Sequence, residues 1–343
     1  MFFLHERGTK MSIYTFALAA GSACGPLVNG WVGEKLSLQW FWWLCAIASG
    51  ANLVAAFFLL PETNYNRNHL IDSNDILHPI PQNSVYPVSQ TMHGGSGMTF
   101  WKIIKFHAPS QPLSSFPKVF FRPFPLITVP AVFWAVVTYG NFLAWVVASD
   151  VQKSVFFPQP PYLFSLGATG STSLASILGI ACGAIAGGFV SDLIAQRSTR
   201  RNNGIREPEH RLPALLPAAL ACPAGCIIFG LTFAHSTHWI GPCVGLFLIN
   251  FAIACGPNVA LTYVVDSYLP WAGEAMVTVN ALKNLVAFGM SYGAVPWLMS
   301  SGWEKMWGSA TGISAAVLLS CVPMYFLGKG ARRMTASWGF IKV

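Results

Sequence analysis

Eight stretches of this chain are long enough to cross a bilayer as helices, and seven of them contain no Asp, Glu, Lys or Arg. They run over about 12–33, 39–60, 124–147, 169–190, 213–234, 239–264, 275–298 and 307–328, the seventh holding the single charge, Lys283. The hydrocarbon core of a bilayer needs about 20 consecutive apolar residues of helix. Backbone immersed in lipid must satisfy its own N–H and C=O groups, so only helices and closed barrels span it. These runs lack the two-residue alternation of barrel strands. The expected fold class is therefore an all-α integral membrane protein, a bundle of about eight transmembrane helices.

Composition narrows the function classes. Charged residues are 9% of the chain, hydrophobic ones 54%, and mean hydropathy is +0.51. A typical soluble domain carries about 25% charged residues. That difference excludes an ordinary cytosolic enzyme, a secreted disulfide scaffold and a disordered chain. The formal net charge of +8 sits in short segments between apolar runs. No basic face of a soluble fold is available, so nucleic acid is not an expected partner and membrane lipid is.

Lysine and arginine also set an orientation, because cytoplasmic loops carry them in excess. Sixteen fall in the N-terminal segment, the loops after the second, fourth and sixth spans, and the C-terminal tail, against three on the opposite side. Both termini are expected to be cytoplasmic, with the plasma membrane as the default location. The expected organisation is an N-terminal helical part of two spans at 1–61, a long cytoplasmic loop at 62–123, a six-helix half at 124–328 and a tail at 329–343.

The eight cysteines all lie inside or at the ends of apolar stretches. Cys222 and Cys226 share a helical face, but no His or carboxylate lies near them in sequence, so packing is the reading rather than metal binding. No nucleophile–base pair, metal-ligand spacing or phosphate loop is present, and no cofactor is expected.

Small residues mark where helices in lipid approach closely. Ala175, Gly179, Gly183 and Gly187 recur every fourth residue, with Gly188 beside them, and Gly21, Gly25, Pro26 and Gly30 form a second set. Pro217, Pro223, Pro257 and Pro296 interrupt other spans, which suits helices that bend or line a cavity. Asn280, Lys283 and Asn284 fall on one helical face, with Lys283 about nine residues in from a span end, or roughly 13 Å. A lysine at that depth calls for a polar cavity or a partner, or belongs to a structural hydrogen-bond cluster. Tyr139, Asn141, Asn250 and Asn258 supply further polar groups that could line a wet cavity.

Several segments together carry a resemblance. Phe2-Phe3-Leu4-His5-Glu6-Arg7-Gly8-Thr9-Lys10-Met11, followed by Gly21-Ser22-Ala23-Cys24-Gly25-Pro26-Leu27-Val28-Asn29-Gly30, resembles the fifth-helix entrance and the glycine–proline motif of the major facilitator superfamily. Pro61-Glu62-Thr63 resembles the end of that family's sixth helix in fungal members. Gly188-Phe189-Val190-Ser191-Asp192, with Arg197 and the basic stretch to Pro213, resembles the motif between helices eight and nine. Tyr263-Val264-Val265-Asp266-Ser267-Tyr268 and Asn280-Ala281-Leu282-Lys283-Asn284 are similar to helices ten and eleven. The order is the family's own, and the fungal drug:proton antiporter-like group is the nearest in pattern.

That resemblance implies a major facilitator-like bundle working by alternating access on small organic solutes, with protons as the exchanged partner. It also implies that the eight spans correspond to helices five to twelve, so the N-terminal half is incomplete and the chain is a fragment. Asp192 would then be a conformational latch, pairing with Arg197 or accepting hydrogen bonds from a neighbouring helix end. Asp266 and Glu274 would serve as gate or capping groups, and Asn280, Lys283 and Asn284 would line the solute cavity. A non-transporting membrane receptor or scaffold is the alternative; a membrane enzyme would need a His/Asp/Glu cluster that the sequence does not offer.

Overall fold

The computed structural model describes residues 7–36, 38–59, 121–202 and 208–335. The contacts divide the chain into two units, Met1–Phe41 with Pro117–Val343, and Trp42–Phe116. Helix α1 covers Arg7–Lys35 and α2 covers Leu38–Leu59. The second unit's described residues are the bulk of α2, whose Trp42, Trp43, Leu53, Phe57 and Phe58 are exposed. Most of the expected 62–123 loop lies outside the described residues.

In the larger unit a 3-10 turn at Phe124–Thr128 leads into α3, Pro130–Phe156. Proline at the start of α3 costs nothing there, since the first turn's N–H groups lack intrahelical partners anyway. The short α4, Leu166–Ser171, begins where the Ser165 hydroxyl accepts the Ala168 N–H. Next comes α5, Ser173–Ile185, then a π-helical turn at Ala186–Val190, then α6, Ser191–Arg201. A 3-10 segment at Pro208–Leu215 precedes α7, Leu216–Ala234. Four further helices follow: α8 at Ile240–Ser267, α9 at Ala272–Ser301, α10 at Trp303–Leu319 and α11 at Cys321–Thr335.

Helices stand at all eight expected places, and no strand occurs among the described residues. Six helical stretches are apolar and long enough to cross a membrane: Gln39–Phe58, Pro130–Phe156, Leu166–Arg201, Pro208–Ala234, Ile240–Ser267 and Trp303–Thr335. The other two, α1 and α9, reach 29 and 30 residues but are diluted by Gly, Ser, Thr and Asn. Helix continues beyond the expected span limit of 328 as far as Thr335, taking in Lys329, Arg332 and Arg333.

Helices α3 and α8 form the centre of the larger unit, with α8 packed on α5, α7 and α3, α9 on α3, and α10 on α7. Association here comes from close packing rather than from escape of apolar surface from water. Gly179, Gly183 and Gly187 lie directly against the α8 backbone at Phe247, Phe251 and Cys255. A side chain at Gly183 would collide with the Phe251 carbonyl oxygen and the Ala254 methyl. Gly183→Leu is therefore expected to cost about 2–3 kcal/mol, lowering the melting temperature in detergent by about 5 °C or more in a thermal-shift measurement.

The first small-residue set divides. A Cβ at Gly30 would come within 2.6 Å of the Leu166 carbonyl oxygen, and one at Gly170 within 2.8 Å of that of Pro26. Those two glycines let α1 lie on α4. Gly21 and Gly25 have nothing within 4 Å of the equivalent position, so they open outward instead of packing. Gly188 is buried within the π turn and Ala175 is partly buried.

Candidate functional site

Two groups of polar side chains stand out against this apolar background. The first sits at the end of the bundle where α6 begins and α8 and α11 finish. Arg211, in the 3-10 segment, is 1% exposed. Its Nη1 donates to Asp192 Oδ1 at 2.8 Å and its Nε to Asp266 Oδ2 at 3.0 Å. One guanidinium thus ties the start of α6 to the end of α8. The planar fork of arginine offers donors in two directions at fixed angles, which a lysine does not. Two residues earlier in the same segment, Glu209 accepts from Arg332 of α11 with both carboxylate oxygens, at 2.6 and 2.7 Å from Nη2. The Tyr268 and Thr335 hydroxyls meet at 2.9 Å and close the same end. Four elements are thereby joined by charge-assisted bonds, the stronger class of hydrogen bond.

Of the two arrangements expected for Asp192, a pair with Arg197 or hydrogen bonds from a neighbouring helix end, the structure shows an ion pair with Arg211 just ahead of α7, with Arg197 exposed. Five residues along a helix turn a side chain by about 140°, so Asp192 and Arg197 leave α6 on different faces. Glu274 comes within 3.9 Å of Arg122, a looser pair at a partly exposed edge. Asp266 and Asp192 share one arginine, a relation that spans 55 and 19 residues of sequence and carries no spacing signal.

The second group lies midway along α3 and α9. The Lys283 ammonium stands 3.9 Å from the centroid of the Tyr139 ring, over its face. Asn280, one turn before, is half-buried and donates to the Met276 carbonyl oxygen at 2.8 Å; Asn284 is exposed. Gly140 allows α3 to meet Val286 of α9 in the same layer.

The remaining asparagines do not join that group. Asn141 faces the interior, where its Oδ1 accepts the Trp145 indole N–H at 2.9 Å and the Ser314 hydroxyl at 3.4 Å. Asn250 donates to the Ser176 hydroxyl at 3.1 Å and Asn258 to the Gly187 carbonyl oxygen at 2.7 Å, both pinning α8 to the α5 side. Tyr139 and Asn141 are adjacent in count but not in direction, since two residues on a helix differ by about 200°. The expected single set of cavity residues is therefore a face of four and three interhelical ties. Sequence reading gave no role to Arg211, Glu209 and Arg332: the first two lay within the stretch compared with the motif between helices eight and nine, and Arg332 counted as a charge of the tail. Their signal was the placement of acid and base on either side of an apolar run's entrance.

A family model described as Major Facilitator Superfamily matches residues 1–291. The chain belongs to that superfamily.

The superfamily is one of multi-pass membrane transporters, and its relatives here are transporters rather than enzymes. An MFS-type transporter of Schizosaccharomyces pombe is 27% identical over 376 residues, which cover 98% of this chain and 65% of the relative. Protein HOL1 of Saccharomyces cerevisiae is 23% identical over 98% of this chain and 67% of its own length. Efflux pump radE of Floropilus chiversii is 23% identical over 96% of this chain and 58% of its own. The chain thus spans about three fifths to two thirds of the length of these superfamily relatives. No solved structure matches it.

Proposed function

We propose that the chain works as a secondary active transporter of small organic solutes by alternating access, exporting them in exchange for protons. The observation that carries this reading is the polar face of Tyr139, Asn280, Lys283 and Asn284 at mid-depth on two helices of a superfamily transporter. Solute sites of such carriers lie near the bilayer midplane, and an ionisable group held there is expensive unless it serves a purpose. Efflux pumps among the relatives, including radE, support the direction of transport.

In this reading the Asp192–Arg211–Asp266 and Glu209–Arg332 pairs form the cytoplasmic gate latch. Both ends of the chain face the cytoplasm, as the lysine and arginine distribution favours. Rocking exchanges one set of packed contacts for another, and pairs made in only one state set how much time the carrier spends there. The plasma membrane is the location assigned by default.

The test is reconstitution of the chain into proteoliposomes loaded with a pH-sensitive dye. Addition of 4-phenylbutyrate, benzoate or rhodamine 6G under an imposed proton gradient is expected to produce solute-dependent proton flux. Asp192→Asn should lower that flux about 10-fold or more while the protein stays folded. Absence of flux for every solute, with the protein shown to be folded in the vesicles, would overturn the proposal.

A further inference from the structure

A groove of about 450 Å³ runs between the start of α7, the end of α10 and the start of α11. Leu216 and Leu220 of α7, Leu319 of α10 and Val322, Tyr325 and Phe326 of α11 line it, and all of them are exposed. The Tyr325 hydroxyl brings the one side-chain oxygen in the lining among the described residues. Every part of the groove comes from one unit of the chain.

One turn further along α11 the same face becomes basic. Lys329 and Arg333 are exposed, and they follow Tyr325 at intervals of four residues. A helix turns about 100° per residue, so Val322, Tyr325, Phe326, Lys329 and Arg333 leave α11 within an arc of about 100°. Groove and cations thus share one side of the helix. Lys329 stands about 4 Å beyond Phe326 along the axis and Arg333 about 10 Å beyond it. Glu209, the acid of the adjoining 3-10 segment, is bound to Arg332. The two exposed cations add positive charge at the mouth of an apolar channel that enters the bilayer.

We infer that this groove binds an anionic phospholipid of the cytoplasmic leaflet, with one acyl chain against Leu216, Leu220 and Leu319 and its phosphate on Lys329 and Arg333. The Tyr325 hydroxyl, between the two, serves the ester region. Long basic side chains near a helix end lay their methylenes on apolar surface and carry the charge to the headgroup layer. That leaflet is the anionic one, and basic pockets between helices on its side take acidic headgroups. The groove by itself would hold any acyl chain without regard to headgroup; the cations by themselves would draw any anion. Their alignment on one helix face selects the molecule that carries both. The site is separate from the transport reading and takes from it only the cytoplasmic placement of the chain's C-terminal end.

The experiment is native mass spectrometry of the purified full chain, titrated in neutral detergent with dioleoyl phosphatidylserine, dioleoyl phosphatidylcholine and water-soluble glycerophosphoserine. The serine lipid should bind about 10-fold or more tightly than the choline lipid, and glycerophosphoserine should neither bind nor displace it. Lys329→Gln with Arg333→Gln should bring the serine lipid down to the level of the choline lipid. Arg200→Gln with Arg201→Gln, which removes two exposed charges from the end of α6, should leave the preference intact. Leu216→Trp, which plugs the groove, should weaken both lipids. The lipid series on the unaltered chain decides the matter even where a variant fails to fold. Equal binding of the two lipids, a preference that survives loss of Lys329 and Arg333, or one lost equally with Arg200 and Arg201 overturns the inference. So does displacement of the lipid by glycerophosphoserine, or by a second copy of the chain. Lipid selectivity without solute flux would leave this site standing and sink transport; flux without selectivity would do the reverse.

Discussion

Replacing Arg211 with methionine is expected to destabilise the protein by about 3–5 kcal/mol. Arg211 is 1% exposed and holds two carboxylates, Asp192 and Asp266, whose side chains are themselves 7% and 6% exposed. Methionine fills much of the volume, but it leaves two like charges facing each other across the vacated space. Removing one partner of a buried ionic group costs far more than replacing the whole group by neutral side chains. The triple change Arg211→Met, Asp192→Asn, Asp266→Asn should therefore recover much of the lost stability. Thermal unfolding in detergent, followed by tryptophan fluorescence, measures both. Flux should not recover with stability, because the neutral triad no longer ties α6 to α8 through charge. A triple variant as unstable as the single one would show that Arg211 matters for packing alone.

Trp307→Ala is expected to cost a comparable 3–5 kcal/mol, through an emptied volume instead of an exposed charge. Trp307 is 1% exposed, with its ring 4.7 Å from that of Phe229 and 6.3 Å from that of Trp145. Its indole N–H donates to Gln152 Oε1 at 3.0 Å, and Gln152 in turn donates to the Ala294 carbonyl oxygen of α9 at 3.1 Å. The side chain lies across Gly230, where no Cβ intervenes. Lipid tails are as apolar as the core, so the loss is of dispersion contacts and one hydrogen bond, not of shelter from water. Trp307→Phe keeps most of the contact and should lose about 1–2 kcal/mol, the cost of a truncated ring and an unmatched glutamine. Chemical denaturation in mixed micelles separates the two variants.

The helices were legible because bilayer thickness sets their length and lipid excludes charge, two constraints that act residue by residue along the chain. The small-residue ladder was legible in part. Gly179, Gly183 and Gly187 repeat every fourth residue and do meet α8, whereas Gly21 and Gly25 show the same composition and meet nothing. Spacing states which residues share a face; it does not state what that face meets. The same limit explains the polar residues. Lys283 with Asn280 and Asn284 could be grouped from one helix, but Asn250 and Asn258 turned out to be bonded to Ser176 and Gly187, partners 74 and 71 residues away. Arg211 was hidden for the same reason. Its burial follows from two aspartates on other elements, and an arginine near the start of an apolar run reads, taken alone, as a cytoplasmic anchor.

The π turn at Ala186–Val190 contributes something that no side chain does: phase. A wide turn of this kind adds about one residue to the helical count, which corresponds to roughly 100° of rotation. Without it, Asp192 would leave the rod about 140° from the Gly187 direction; with it, the carboxylate returns to the flank that carries the glycines. Deleting one residue between Ala186 and Val190 should thus close the wide turn and leave Asp192 aimed at Arg211, whereas inserting one there would turn it away by about 100° while every participant in the ion pair stayed in the sequence. A lesion of that sort is invisible to a residue-by-residue scan, since it alters angular bookkeeping and nothing else.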